Sequence, residues 1–127
     1  MTPEALRRFA LSLPEAREEP HFERTSFRIG KKIFATMTRD GREAMVKVAE
    51  PDEVEALLSM QPAAFFSYGT WTTRNGALGV RLEEVNAALL RQLVTAAWKS
   101  VAPRRAVAAF ELAGTRARRR KRPGEDG

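Results

Sequence analysis

The chain has no cysteine in 127 residues and a single histidine. Disulfides and thiolate metal sites are therefore excluded, and neither a histidine-rich metal site nor a histidine relay can be assembled. No apolar run approaches the roughly 20 residues that a membrane-spanning helix needs. The opening Met-Thr-Pro-Glu-Ala-Leu-Arg-Arg lacks a signal-peptide apolar block, so the cytoplasm is the expected compartment. Gly-x-Gly-x-x-Gly, phosphate-binding-loop, Gly-x-Ser-x-Gly and His-Glu-x-x-His patterns are all missing. We expect no enzyme, no cofactor and no metal.

What remains is ordinary for a soluble domain: 43% apolar and 30% charged residues, enough for one hydrophobic core. The net charge of +6 is unevenly placed. Arg116, Arg118, Arg119, Arg120, Lys121 and Arg122 face only Glu125 and Asp126, so residues 114–127 hold a net +4 and residues 1–113 only +2. Apolar content vanishes after Gly114. The chain divides into one domain, 1–113, and a disordered basic tail, 114–127.

Within the domain, Thr2 and Pro3 cap a first helix with Leu6, Phe9, Ala10 and Leu13 at helical spacing, and Pro14 stops it. Residues 15–24 are charged and irregular, with room for a short edge strand near His21-Phe22. Two β-rich runs, 25–29 and 33–38, flank Gly30-Lys31-Lys32. A three-residue loop pairs Ile29 with Ile33 and Phe27 with Ala35, which gives a continuous apolar face. Asp40-Gly41 signals a type I′ turn that sets Met37 opposite Ala44, Ala35 opposite Val46 and Ile33 opposite Val48. The other face then carries Arg28, Lys32, Phe34, Thr36, Met45 and Lys47.

Pro51 and Asp52 open a second helix that Gln61-Pro62 ends, followed by one turn at 63–66. A second hairpin, 70–74 with 77–82, closes at Asn75-Gly76, again a type I′ signal, with Trp71 opposite Val80. The longest helix spans 84–102 and a short one 104–112. The order α-βββ-α-ββ-α is an α+β two-layer sandwich, an antiparallel sheet of about five strands with helices mainly on one face.

Glu19-Pro20-His21-Phe22, the run Ser26-Phe27-Arg28-Ile29-Gly30-Lys31-Lys32-Ile33-Phe34-Ala35 and Gln61-Pro62-Ala63-Ala64-Phe65-Phe66 resemble the MmcQ/YjbR family of small bacterial proteins. Val80-Arg81-Leu82 and Val101-Ala102-Pro103-Arg104-Arg105 continue the likeness, which covers roughly residues 1–112. The resemblance implies the fold of CyaY and of type III secretion chaperones, with DNA binding by a double wing and no catalytic residues. Family members often carry a tryptophan just before the Val-x-Leu strand. Here Leu78-Gly79 stands there, so no role for that tryptophan is carried over.

His21, beside Pro20, reads as a structural residue. Glu15, Glu18, Glu19 and Glu23 lack calcium-ligand spacing and read as a solvated acidic loop. Arg28, Lys32, Phe34 and Lys47 share the predicted sheet face, and the wing tips add Lys31, Arg39, Arg42 and Arg74. Cations spaced along a β surface neutralise phosphates, and an exposed ring stacks on a base. The six cations between Arg116 and Arg122 add phosphate contacts without reading sequence. The expectation is a non-enzymatic protein that binds nucleic acid, with DNA favoured, and has no membrane partner. The alternative is a protein-binding or chaperone-like module, a homo-oligomer included, in which Phe34, Met45 and Trp71 face a partner or a second copy.

Overall fold

In the computed structural model, residues 1–120 are described. Helix α1 (Pro3–Ser12) begins where the Thr2 hydroxyl accepts from the Ala5 N–H at 3.1 Å, and it buries Leu6 and Ala10. Strands β1 (Arg17–His21), β2 (Arg24–Ile29), β3 (Lys32–Thr38) and β4 (Glu43–Lys47) follow, then α2 (Pro51–Met60). Strand β5 (Phe65–Phe66), helix α3 (Thr70–Arg74), strand β6 (Ala77–Arg81), α4 (Ala87–Val101) and α5 (Arg104–Arg120) complete the order. The antiparallel sheet has six strands in the order β1-β2-β3-β4-β6-β5.

Helix α4 packs across β2, β3 and β4, and α1 packs on α4. Between them lies one core: Phe27, Ala35, Val46 and Leu78 from the sheet meet Leu6, Leu90, Val94 and Trp98 from the helices. The Trp98 indole N–H donates to the Pro14 carbonyl at 2.9 Å, which fixes the chain where it leaves α1.

The first hairpin corrects the expected register. Phe27 does lie opposite Ala35, but Arg28 faces Ile33 and Ile29 faces Lys32, with a bulge between. Residues directly opposite share a face, so Ala35 goes with Phe27 and Ile33 with Arg28. Phe34 is the extra residue. It is fully buried in the core rather than displayed with Arg28, and Ile33 is not part of the core face. Lys32, opposite Ile29, also leaves the face of Arg28. The bulge satisfies two demands at once, a two-residue turn and burial of a phenylalanine.

The Asp40-Gly41 loop gives the expected pairs, Met37 with Ala44 and Ala35 with Val46, but not through a type I′ turn. Gly41 has φ 71° while Asp40 is not at positive φ, and I′ needs both. Instead the Gly41 N–H donates to the Thr38 carbonyl, and the Asp40 carboxylate accepts from the Thr38 hydroxyl and the Arg42 N–H.

The second hairpin is the larger correction. Residues 70–74 are helix α3, Asn75 caps its end, and Val80 pairs with Ala44 and Phe65, so Trp71 does not face it. Gly76, at φ 84°, lies so close to Val48 that a Cβ would sit 2.0 Å from its carbonyl oxygen. The glycine marks a docking of α3 onto the end of β4, not a hairpin tip. Residues 65–66, expected as a helical turn, supply the edge strand. Finally, α5 runs past Gly114 to Arg120, where a disordered tail was expected. Arginine and alanine are strong helix formers, and one interior glycine costs only about 1 kcal/mol. Lys121 and Arg122 lie outside the described residues.

Candidate nucleic-acid interface

The sheet pairings sort the candidate cations into two groups. At one end the β2–β3 turn, the last residue of β4 and the first of β6 come together, with Ile29 opposite Lys32 and Lys47 opposite Ala77. Lys31, Lys32 and Lys47 are exposed there. Arg74, also exposed, joins them because Gly76 docks α3 beside Val48, where the Val48 N–H donates to the Gly76 carbonyl at 2.7 Å. Among the described residues none of these four forms an ion pair.

Arg28 belongs to this end but is already engaged. Its side chain is only 15% exposed, donates to the Ser26 hydroxyl at 2.7 and 3.0 Å, and pairs with Glu19 at 3.4 Å. Glu19 also pairs with Arg17 at 3.1 Å, and Arg17 donates to the Gly30 carbonyl. This cluster braces the turn that presents Lys31 and Lys32. Arg28 is thus a support for the positive end more than a contact of it.

Arg39 and Arg42 lie at the opposite end, with Asp40 in the same loop and Glu43 facing Arg81 across the strands. A cleft of about 450 Å³ there is lined by Arg42, Glu43, Arg81, Glu83 and Glu84. With three carboxylates against two guanidiniums, its lining does not favour phosphate. The two wing-tip arginines of the β3–β4 loop are therefore not brought together with Lys31, Lys32, Lys47 and Arg74.

The rings are arranged differently from expectation as well. Phe34 is in the core and Met45 is half-buried, whereas Trp71 is 75% exposed. A line of side chains that sequence reasoning missed crosses the second sheet face. Arg81 lies over the Phe66 ring at 4.9 Å, Phe66 meets Tyr68 edge-on at 5.1 Å, and Arg24 lies over Tyr68 at 5.3 Å. Arg24 also donates to the Tyr68 hydroxyl and to Thr36. Arg24 thus bridges Tyr68 to the buried Thr36, while the buried Ser26 is held by the Arg28 guanidinium and the Glu19 carbonyl. The alternation Phe66-x-Tyr68 was the available signal, since it places two rings on one side of an extended segment.

Arg116 is exposed near the end of α5, and Arg118, Arg119 and Arg120 close that helix. Its first half is anchored: Phe110 contacts Trp98 at 5.1 Å between ring centres, Lys99 pairs with Glu111, and Arg105 pairs with Glu15. Glu18 is held by Arg7 and Thr25, and His21 meets Phe22 edge-on. No grouping of three or more His, Asp or Glu that could hold a metal is found among the described residues. No described helix is long and apolar enough to cross a membrane.

No curated protein matches the chain significantly. Among solved structures, the crystal structure of Deinococcus radiodurans protein DR2400, with a DUF419 domain, is similar in fold, with a TM-score of 0.65 and 23% identity. The match covers 76% of this chain and 75% of that one. The YjbR family model matches residues 11–100. That span takes in the sheet, α3 and nearly all of α4, and the chain belongs to the YjbR family.

Proposed function

We propose that this protein is a non-enzymatic nucleic-acid-binding domain whose contact surface is the positive end of the sheet. The observation that carries the reading is that Lys31, Lys32, Lys47 and Arg74, exposed and without ion pairs among the described residues, all lie at the same end of the sheet. Phosphates neutralise such groups and release counterions. One β-hairpin tip, Gly30-Lys31, and the end of α3 take the place of two wings. The basic end of α5 adds contacts that read no sequence. DNA and RNA both present the phosphates that this surface would bind.

The test is fluorescence anisotropy of a labelled oligonucleotide at rising KCl concentration. Binding should weaken linearly on a log–log plot, by about 0.9 per phosphate contact on duplex DNA. A protein-partner reading predicts association that salt hardly changes. Among the apolar residues that reading relied on, only Trp71 is fully at the surface.

A further inference from the structure

The positive end carries one ring that the core does not claim. Trp71 leaves 75% of its surface in water, whereas the other tryptophan, Trp98, is fully buried. Tryptophan ordinarily hides most of its large ring. Nothing about α3 is loose enough to explain the exposure. The Thr72 hydroxyl donates to the Gly69 carbonyl at 2.8 Å, the Asn75 side-chain amide to the Trp71 carbonyl at 2.8 Å, and Ser67 and Thr73 share a hydrogen bond at 2.8 Å. Gly76 then seats the helix end against Val48. The backbone is pinned from both sides while the indole stands in solvent.

Its charged neighbours define what it would meet. Arg74 is three residues along the same helix, hence on the same side as Trp71. Lys47 pairs with Ala77, three residues beyond Arg74. A flat exposed ring, with Arg74 one turn along its helix and Lys47 opposite the first residue of the next strand, suits a nucleotide, with the base on the ring and flanking phosphates on the cations. In a duplex both faces of each base are already stacked, so the ring has nothing to take. In a single strand the bases are free.

We propose that the positive end binds single-stranded nucleic acid, with an unpaired base stacked on Trp71 and flanking phosphates on Arg74 and Lys47. This rests on the nucleic-acid reading above and narrows it to a class of strand. Base and phosphate are common to DNA and RNA, so the test includes both.

The experiment follows tryptophan emission and anisotropy together, using an oligothymidylate, an oligouridylate and a DNA duplex of about 15 nucleotides or base pairs. Trp98 is buried and serves as an internal reference. Both single strands should quench the exposed emission and bind more tightly than the duplex. Trp71→Ala should weaken single-strand binding at least about fivefold, the lower end of what one stacked base contributes. It should leave the duplex affinity and the salt slope unchanged, and Trp71→Phe should recover part of the loss. Because the ring is exposed, circular dichroism of the variant should match the parent. Equal affinity for duplex and single strands, untouched by Trp71→Ala, would overturn the stacking inference while leaving phosphate binding in place. No binding of any probe at low salt would overturn both.

Discussion

The ring of Phe66 lies flat against Gly79, its cross-strand neighbour, so that a Cβ at position 79 would fall 2.5 Å from the ring. The strand before Val80-Arg81-Leu82 therefore has room for no side chain there. Phe66 fills the space, and Arg81 and Tyr68 build on it.

Gly79→Ala should push Phe66 off the strand. An overpacked contact of this kind typically costs about 1–3 kcal/mol, at about 4 °C per kcal/mol for a chain of this length. Thermal unfolding should show a drop of several degrees, with the emission of Trp71 little changed because α3 is held by other contacts.

Trp98→Phe removes the donor to Pro14 and part of the contact with Phe110. That hydrogen bond is only partly buried, so losing its donor costs about 1 kcal/mol. Chemical denaturation should report a loss at least that large. Truncation after Ala113 keeps Phe110 on Trp98 and should leave the thermal midpoint nearly unchanged. Truncation after Pro103 removes Phe110 and Ala106, uncovers the tryptophan and should lower it.

Asp40 is held ionised by the Thr38 hydroxyl first and the Arg42 N–H second, so its pKa lies below the ordinary aspartate value. A depressed pKa contributes stability that is present above the unfolded value and lost as pH falls through the folded one. Carboxyl NMR titration should find the Asp40 midpoint lower than that of an unbonded aspartate. Thr38→Val should raise it toward the ordinary value.

The sequence showed those parts of the fold that local chemistry decides. Thr2-Pro3, Pro14 and Pro51 marked helix boundaries, and alternation around Asp40-Gly41 set the β3–β4 register even though the turn type differed. Three features were hidden because they depend on distant residues. Phe34 turns inward only because a bulge in β3 allows it. Asn75-Gly76 reads as a hairpin until Val48 is seen beside Gly76. The line from Arg81 to Arg24 joins residues 57 positions apart through Phe66 and Tyr68. For the candidate site, the residue types were legible. Their division between two ends of the sheet was not, since that depends on strand order.

The central claim is that one end of the sheet, and not basic charge in general, binds nucleic acid. It is tested most directly by comparing Lys31→Gln/Lys32→Gln with Arg39→Gln/Arg42→Gln, two changes of equal charge at opposite ends of the sheet. All four side chains are exposed, so neither variant should lose its fold. The measurement is the slope of log binding constant against log salt for the full chain. The account predicts that the lysine pair flattens the slope by about 0.9 per charge on duplex DNA, or about 0.7 on a single strand, while the arginine pair leaves it nearly unchanged. Equal flattening by both pairs, or no binding by the parent protein, would contradict it.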